Sequence, residues 1–478
     1  MTNKTNIILT LLILTLIGCS DDDSFTTSTA NMLRFSSDTI NMDTVFSHVP
    51  TATKTFWAYN KSGDGIRCTN VRLENGNQSG FRVNVDGTYL GEASGYQTNN
   101  VEIRNKDSIR VFVELTSPFN HNDVPQEITD NIVFSLESGV KQYVNLKAMS
   151  WDALSVNNLE IKKDTTISGT KPIIVYGGIK VDSGATLTIA QGTTLYFHDK
   201  AGIDVYGKLL CKGEVNNNIV FRGDRLDRMF DYLPYDNVSG QWKGIHFYDS
   251  SYDNVIDNTD IHSACDGIVC DSSDVNKSKL KLINSILHNS KGNCLLSYSS
   301  SIDVENCQIT NSLNDCVAIY GGKTYFLHNT IAQFYPFDSN RGYALRFCNY
   351  LNDSLYPLYD FHCINTLITG YSDDVLLGQT KDSVTAFSYC FDNCLLRTPE
   401  MEKDTVKLIN VLWEDVKDTT TTGIKNFIKI DTDNLRYDFR LDSISKAINA
   451  GNPKSSLDYD RLGIRRDDKP DIGCYEYK

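Results

Sequence analysis

A chain of 478 residues exceeds what one ordinary hydrophobic core fills, so two or more cooperating units are expected. With 46 basic residues against 60 acidic ones the surface repels phosphate backbones, and no basic stripe interleaved with aromatics runs along the chain, which argues against nucleic acid as a partner. The 25 Tyr and 21 Phe against only 6 Met, with β-branched residues and Asn in short runs, predict an all-β protein of strands and tight turns.

Lys4 precedes an apolar run from Ile7 to Ile17, followed by Gly18 and Cys19. The run is too short to span a bilayer as a mature helix and reads as a signal peptide over 1–18. Leu16-Ile17-Gly18-Cys19 resembles the lipobox of bacterial lipoproteins. That resemblance implies a diacylglycerol on the Cys19 thiol, cleavage after Gly18, acylation of the new amino group, and a membrane as partner through the lipid anchor. Ser20-Asp21-Asp22-Asp23 resembles the acidic signal that sends lipoproteins of Bacteroidota to the outer face of the outer membrane. The rest of 19–32 is a Ser/Thr-rich tether.

From 33 to 150 short alternating strands are predicted, among them Lys54 to Tyr59, Ile66 to Leu73, Ser108 to Leu115 and Tyr143 to Ala148. Turn formers such as Ser62-Gly63-Asp64-Gly65 separate them at the spacing of a β-sandwich. The run from Leu33-Arg34-Phe35 through Asp43-Thr44-Val45-Phe46 to Phe81-Arg82-Val83 resembles the Ig-like modules that precede surface β-helices, which implies an Ig-like spacer.

The pattern changes over 151–478. Runs such as Ala185-Thr186-Leu187-Thr188-Ile189 and Ile203-Asp204-Val205-Tyr206-Gly207 are very short and closed by Gly or Asn. Six segments then share an apolar residue, any residue, Asn, and a small Thr, Ser or Cys, placing Asn258, Asn284, Asn306, Asn329, Asn365 and Asn393 at intervals of 22 to 36 residues. One turn of a parallel β-solenoid has this length. Parallel in-register strands bring the same position of each rung together, so the Asn amides are expected to stack as a structural ladder at a tight turn.

These residues resemble the right-handed parallel β-helix proteins of the pectate-lyase-like superfamily. Gln241-Trp242-Lys243-Gly244-Ile245 is similar to their rung-opening element, and the tail through Pro470-Asp471-Ile472-Gly473-Cys474-Tyr475-Glu476 is similar to the ending of bacterial surface members. The resemblance implies a right-handed β-helix with a C-terminal cap; it does not specify an activity. Of the 13 Cys, Cys363 takes an aliphatic core position and Cys307 and Cys394 take the small slot after Asn, which favours reduced core thiols over disulfides. No Cys/His spacing resembles a zinc site, and neither metal nor cofactor is read from the sequence; calcium would enter only if the chain is a lyase.

Candidate chemistry is concentrated four residues after the Asn positions. There His262 and His288 fall on adjacent rungs, followed by Thr310, Gln333, Thr369 and Arg397, with Asp260 and Lys291 as the nearest carboxylate and cation. Adjacent imidazoles are expected to depress each other's protonation, leaving one as a base near neutral pH, although a solvated strand face would show the same residues. Two long insertions, 224–240 and 334–362, carry Tyr232, Tyr235 and Arg341, which could contact sugar or pack as a cap over the solenoid. Three functions stay open: a surface protein that binds or processes polysaccharide, a polysaccharide lyase or glycoside hydrolase, and a structural or adhesive surface protein.

Overall fold

The computed structural model describes residues 24–478 except 231, 403, 419 and 421, so Cys19, the signal segment and the acidic stretch lie outside the described residues. The chain divides into two units, Met1–Asp152 and Ala153–Lys478. In the first, two five-stranded sheets enclose one apolar core. Alternation accounts for this: in Phe81–Val85 the residues Phe81, Val83 and Val85 point inward while Arg82 and Asn84 point out. Phe56 and Phe81 from one sheet share that core with Phe134 from the other.

The second unit is a coil of short parallel strands. One inward column runs Ile261, Leu287, Ile309, Ile331, Ile368 and Leu396 on successive rungs. A second runs Ile268, Leu295, Val317, Leu345 and Leu376. A third runs Cys211, Ile256, Leu282, Val304, Phe326, Cys363 and Phe391. All three columns feed one continuous core. Strands of two to seven residues suffice in these columns because each is buried on its inner face and hydrogen-bonded to neighbouring rungs. The twelve described cysteines are free thiols; Cys294, Cys307, Cys316, Cys363 and Cys394 are fully buried.

The Asn turn follows the third column. Asn258, Asn284, Asn306, Asn365 and Asn393 all adopt left-handed backbone, with φ between 43° and 53°. Asn329 does not belong to this set. Glu305 pairs with Leu327, so the turn position on that rung is His328, whose φ is 53°, and Asn410 at 49° continues the column. Asn329 instead falls in the small slot that follows, where its Oδ1 accepts from the Cys307 amide at 2.8 Å and its Nδ2 donates to the Val304 carbonyl at 2.9 Å. This slot is polar for a reason. Leaving the left-handed turn takes each slot amide out of the regular pairing, and the side chain one rung on accepts it: Thr259 N to Ser285 Oγ at 3.1 Å, Ser285 N to Cys307 Sγ at 3.5 Å, Asn329 N to Thr366 Oγ1 at 3.4 Å.

The Asn amides bond less to one another than to the C-terminal tail. Asn306 donates to Asn284 at 3.3 Å and Asn410 to Asn393 at 3.2 Å, but Asn306 also donates to the Tyr459 carbonyl at 2.8 Å and Asn393 to the Ala450 carbonyl at 2.9 Å. Arg466 reaches Asn306 Oδ1 at 3.1 Å. The tail therefore runs back along the side of the coil over several rungs, rather than closing its end as a cap.

Candidate functional site

On the outer face of the first column, residues alternate with the core positions. Asp260 and His262 flank Ile261, and Ile286 and His288 flank Leu287, so the strand pairing sets His262 opposite His288. The ring centroids are 4.7 Å apart and the planes 25° from parallel. His262 is fixed from behind, since its carbonyl accepts from the indole of buried Trp242 at 2.8 Å, and Trp242 stacks on Phe197 in the core. After His262, His288 and Thr310 the chain turns at Ser263, Asn289 and Asn311, all with positive φ.

The 224–240 insertion folds over this pair. A short 3₁₀ turn at Tyr235–Asn237 brings Asp236 Oδ1 to 2.9 Å from His262 Nε2, and the Ser263 hydroxyl holds the Asp236 carbonyl at 2.6 Å. Arg222 pairs with the same Asp236 oxygen at 2.7 Å. On the other side Asp260 Oδ1 lies 2.9 Å from His262 Nδ1 and 3.3 Å from His288 Nε2. Asp260, His262 and His288 thus bring three ligand atoms within 4.8 Å of one another, a grouping that no short spacing in the sequence announces.

Electrostatics overturns the expectation of mutually depressed imidazoles for His262. Burial works against its charge, but Asp260 and Asp236 outweigh it and raise its pKa to about 9. Burial likewise pushes Asp260 and Asp236 up, yet the facing imidazoles hold Asp260 well below the carboxylate range, and His262 and Arg222 bring Asp236 to about 2. Both ring nitrogens of His262 are occupied by carboxylates, Nδ1 by Asp260 and Nε2 by Asp236. Neither nitrogen is then free to take a proton from a ligand, whereas His288 leaves a quarter of its side chain exposed.

His288 opens onto a cleft of about 420 Å³. Its floor is His288, Gln308 and Thr310, and its walls are Tyr437 and Arg440 of the Phe427–Asp431 and Arg436–Leu441 hairpin, with Tyr475 of the tail. Tyr475 donates to Gln308 Oε1 at 2.7 Å, and Arg440 binds Asp438 at 2.6 Å. The Tyr437 hydroxyl is buried behind its ring, where it has no hydrogen-bond partner among the described residues.

Other expected site residues lie elsewhere. Lys291 is exposed and its stem packs against Gly240; among the described residues it bonds to none of the three clustered groups. Tyr232 is exposed and stacks on Phe230 at 5.7 Å, outside the cleft lining, while the Tyr235 ring lies under the Arg225 guanidinium at 3.9 Å. Arg341 caps the Tyr371 ring at 5.0 Å and bonds to the Asp338 carbonyl within its own loop. The polar column is not a solvated face: Thr310, Thr369 and Arg397 are buried, and Gln333 is out of step because Ala332 pairs with Thr310. Asp236, Tyr437 and Arg440 were missed, since they enter from a loop and a distant hairpin whose positions no repeat reveals; Arg222 was missed although it lies on the Ile219–Gly223 strand of the preceding rung, because that rung lacks the Asn signature.

A family model described as the right handed beta helix region matches residues 150–332. The body of the chain is accordingly a right-handed parallel β-helix in an all-β protein. Among solved structures, a pectate lyase is similar with 14% identity and a TM-score of 0.28, covering 69% of this chain and 88% of its own. A family 123 glycoside hydrolase from Clostridium perfringens, studied for glycolipid glycan hydrolysis, is similar with 9% identity and a TM-score of 0.18. That match covers 27% of this chain, which spans only 26% of the hydrolase. No curated protein matches the chain.

Proposed function

We propose that the chain is a lipid-anchored, surface-exposed outer-membrane protein whose β-helix binds polysaccharide in the cleft beside His288. The observation that carries this reading is the cleft itself: a floor of polar side chains fixed in strand register, walled by the Tyr437 ring and the Arg440 guanidinium. Sugars are held by this combination of ring faces and convergent polar groups. A flat adhesive surface would lack it. Membrane attachment rests on the lipobox ending at Cys19, and the N-terminal sandwich serves as an Ig-like spacer in this reading.

A second reading, a polysaccharide lyase, is favoured by His288, a base candidate that faces the cleft whose wall carries Arg440, a cation paired with Asp438 but with about half of its side chain exposed. Hydrolysis is less well supported, because it needs paired carboxylates and the carboxylate in the cleft lining, Asp438, is tied to Arg440.

The test is to incubate the protein with a panel of acidic and neutral polysaccharides, reading retention, unsaturated-uronate absorbance and reducing ends. Retention of one polymer class, weakened about tenfold or more in Tyr437→Ala and Arg440→Ala, supports binding in the cleft. Absorbance that disappears in His288→Ala selects the lyase, and no retention of any polymer overturns the proposal. For the anchor, Cys19→Ser is expected to move the protein from the membrane to the soluble fraction; a variant that stays with membranes refutes it.

A further inference from the structure

We propose that Asp260, His262 and His288 bind one divalent transition-metal ion of the zinc class, with Asp236 orienting His262 and the open coordination position directed toward the cleft. The inference does not rest on the glycan reading.

The donor spacing supports it first. Asp260 Oδ1 lies 2.9 Å from His262 Nδ1 and 3.3 Å from His288 Nε2. Donors about 2.1 Å from a tetrahedral ion lie roughly 3.4 Å from one another, so the two Asp260 separations match to about half an ångström, and the three donor atoms, all within 4.8 Å of one another, close on an ion once the two imidazoles draw together. Rigidity is the second support. His262 and His288 sit opposite each other on paired parallel strands, and Trp242 fixes the backbone at His262, so the ligands are positioned by the scaffold and not by a loop.

The surroundings also have the form of a metal centre. A ligating histidine usually gives its second ring nitrogen to a carboxylate, which sets its orientation and basicity. His262 Nε2 faces Asp236 Oδ1 at 2.9 Å, and Arg222 in turn anchors that carboxylate at 2.7 Å. Three protein ligands leave a position for water or another oxygen donor, and His288 lines the cleft through which such a ligand would enter. Two imidazoles and one carboxylate suit zinc, copper, iron or nickel; calcium takes six to eight oxygens, and this donor set does not fit it. The calcium considered for a lyase therefore has no place at this cluster.

The test uses the full chain purified in detergent, stripped by a chelator and titrated with Zn²⁺ and separately with Co²⁺, without any polysaccharide. One ion per chain is expected, with Kd tighter than about 1 μM, and a Co²⁺ visible spectrum characteristic of nitrogen and oxygen ligands at low coordination number. His288→Ala should abolish that spectrum and weaken Zn²⁺ binding by about 100-fold or more, while Asp236→Asn should keep the stoichiometry and weaken it about 10- to 100-fold. His246→Ala, which alters a histidine bonded to Asp271 elsewhere, should bind as the parent does. A tenfold excess of Ca²⁺ should not displace Zn²⁺. A folded parent that binds no ion, or the same Co²⁺ spectrum in His288→Ala, would show that the three residues are an ion-pair cluster only.

Discussion

Along one outward face of the coil, two stretches of the same rung positions are buried in opposite ways. Upstream, Asp260, His262 and His288 are covered by a loop that contributes a carboxylate, and the covering stops short of His288 so that a cleft opens. Downstream, the equivalent positions include Ala332, Leu367 and Leu395, and a hairpin lays Phe427 and Phe439 on them with Phe334. The backbone repeats, so the difference is one of side chains alone. Apolar outward positions are covered by an aromatic lid, and the cleft lies between that lid and the charged cluster.

Phe439→Ala tests the independence of the lid and carries the largest expected effect. Phe439 is buried against Phe427 at 5.1 Å, and its removal should cost about 3–5 kcal/mol. Because each part of a solenoid contacts mainly its neighbours, the loss should stay local. Hydrogen exchange should accelerate in 427–441 and remain slow in the Thr259–His262 and Ile286–Ser290 strands. Exchange that accelerates over the whole coil would break the comparison, because the two stretches would then be one cooperative unit.

The turn column offers a sharper contrast, between His328 and the Asn residues at the same position. His328 is fully buried, bonded to Ser456 at 3.0 Å and to Asn365 at 3.0 Å. Burial first, and the nearby Arg466 guanidinium second, hold its pKa well below the ordinary 6.5, although the carbonyls of Gly473 and Asp471 pull the other way. Protonation is therefore favoured in the unfolded chain, which binds more protons as pH falls below about 6.5, so stability is lost on acidification by at most about 1.4 kcal/mol per pH unit. His328→Asn should keep the left-handed turn and remove this component. Thermal melts from pH 7.5 to 5 should fall less steeply in the variant than in the parent; parallel curves would mean that His328 does not titrate on unfolding.

The repeat was legible because in-register stacking forces like residues into like positions, and the Asn turn needs a residue that tolerates positive φ. His328-Asn329 hid one rung, since an Asn lies beside the true turn residue; the regular 22-residue interval from Asn284 to Asn306 points to 328 and was the overlooked signal. The opposition of His262 and His288 was legible from the same register. The carboxylate on the far side of His262 was not, because Asp236 arrives from an insertion whose path no periodicity encodes. The hairpin wall was invisible for a related reason: Tyr437 and Arg440 lie some 150 residues beyond His288, and only packing brings them to it.

The smallest expected effect concerns the contact that ties the tail to the cleft floor. Tyr475 is largely buried, and its hydroxyl donates to Gln308 Oε1 at 2.7 Å. Tyr475→Phe removes one hydrogen bond and keeps the ring in place, so the loss should be the net value of such a bond, about 0.5–1.5 kcal/mol. The lower end is expected, because Gln308 borders the cleft and water can take up the freed oxygen. The rest of the tail stays anchored by bonds that this change does not touch, Gly473 N to the Asn365 carbonyl at 2.8 Å and Arg466 to Glu476 at 2.8 Å. Hydrogen exchange at Gly473 and Cys474 should therefore change little while the urea midpoint falls slightly. A loss above about 3 kcal/mol would exceed what one hydrogen bond supplies, and would show that the tail docks through Tyr475, with the cleft wall and the covered stretch depending on a single contact.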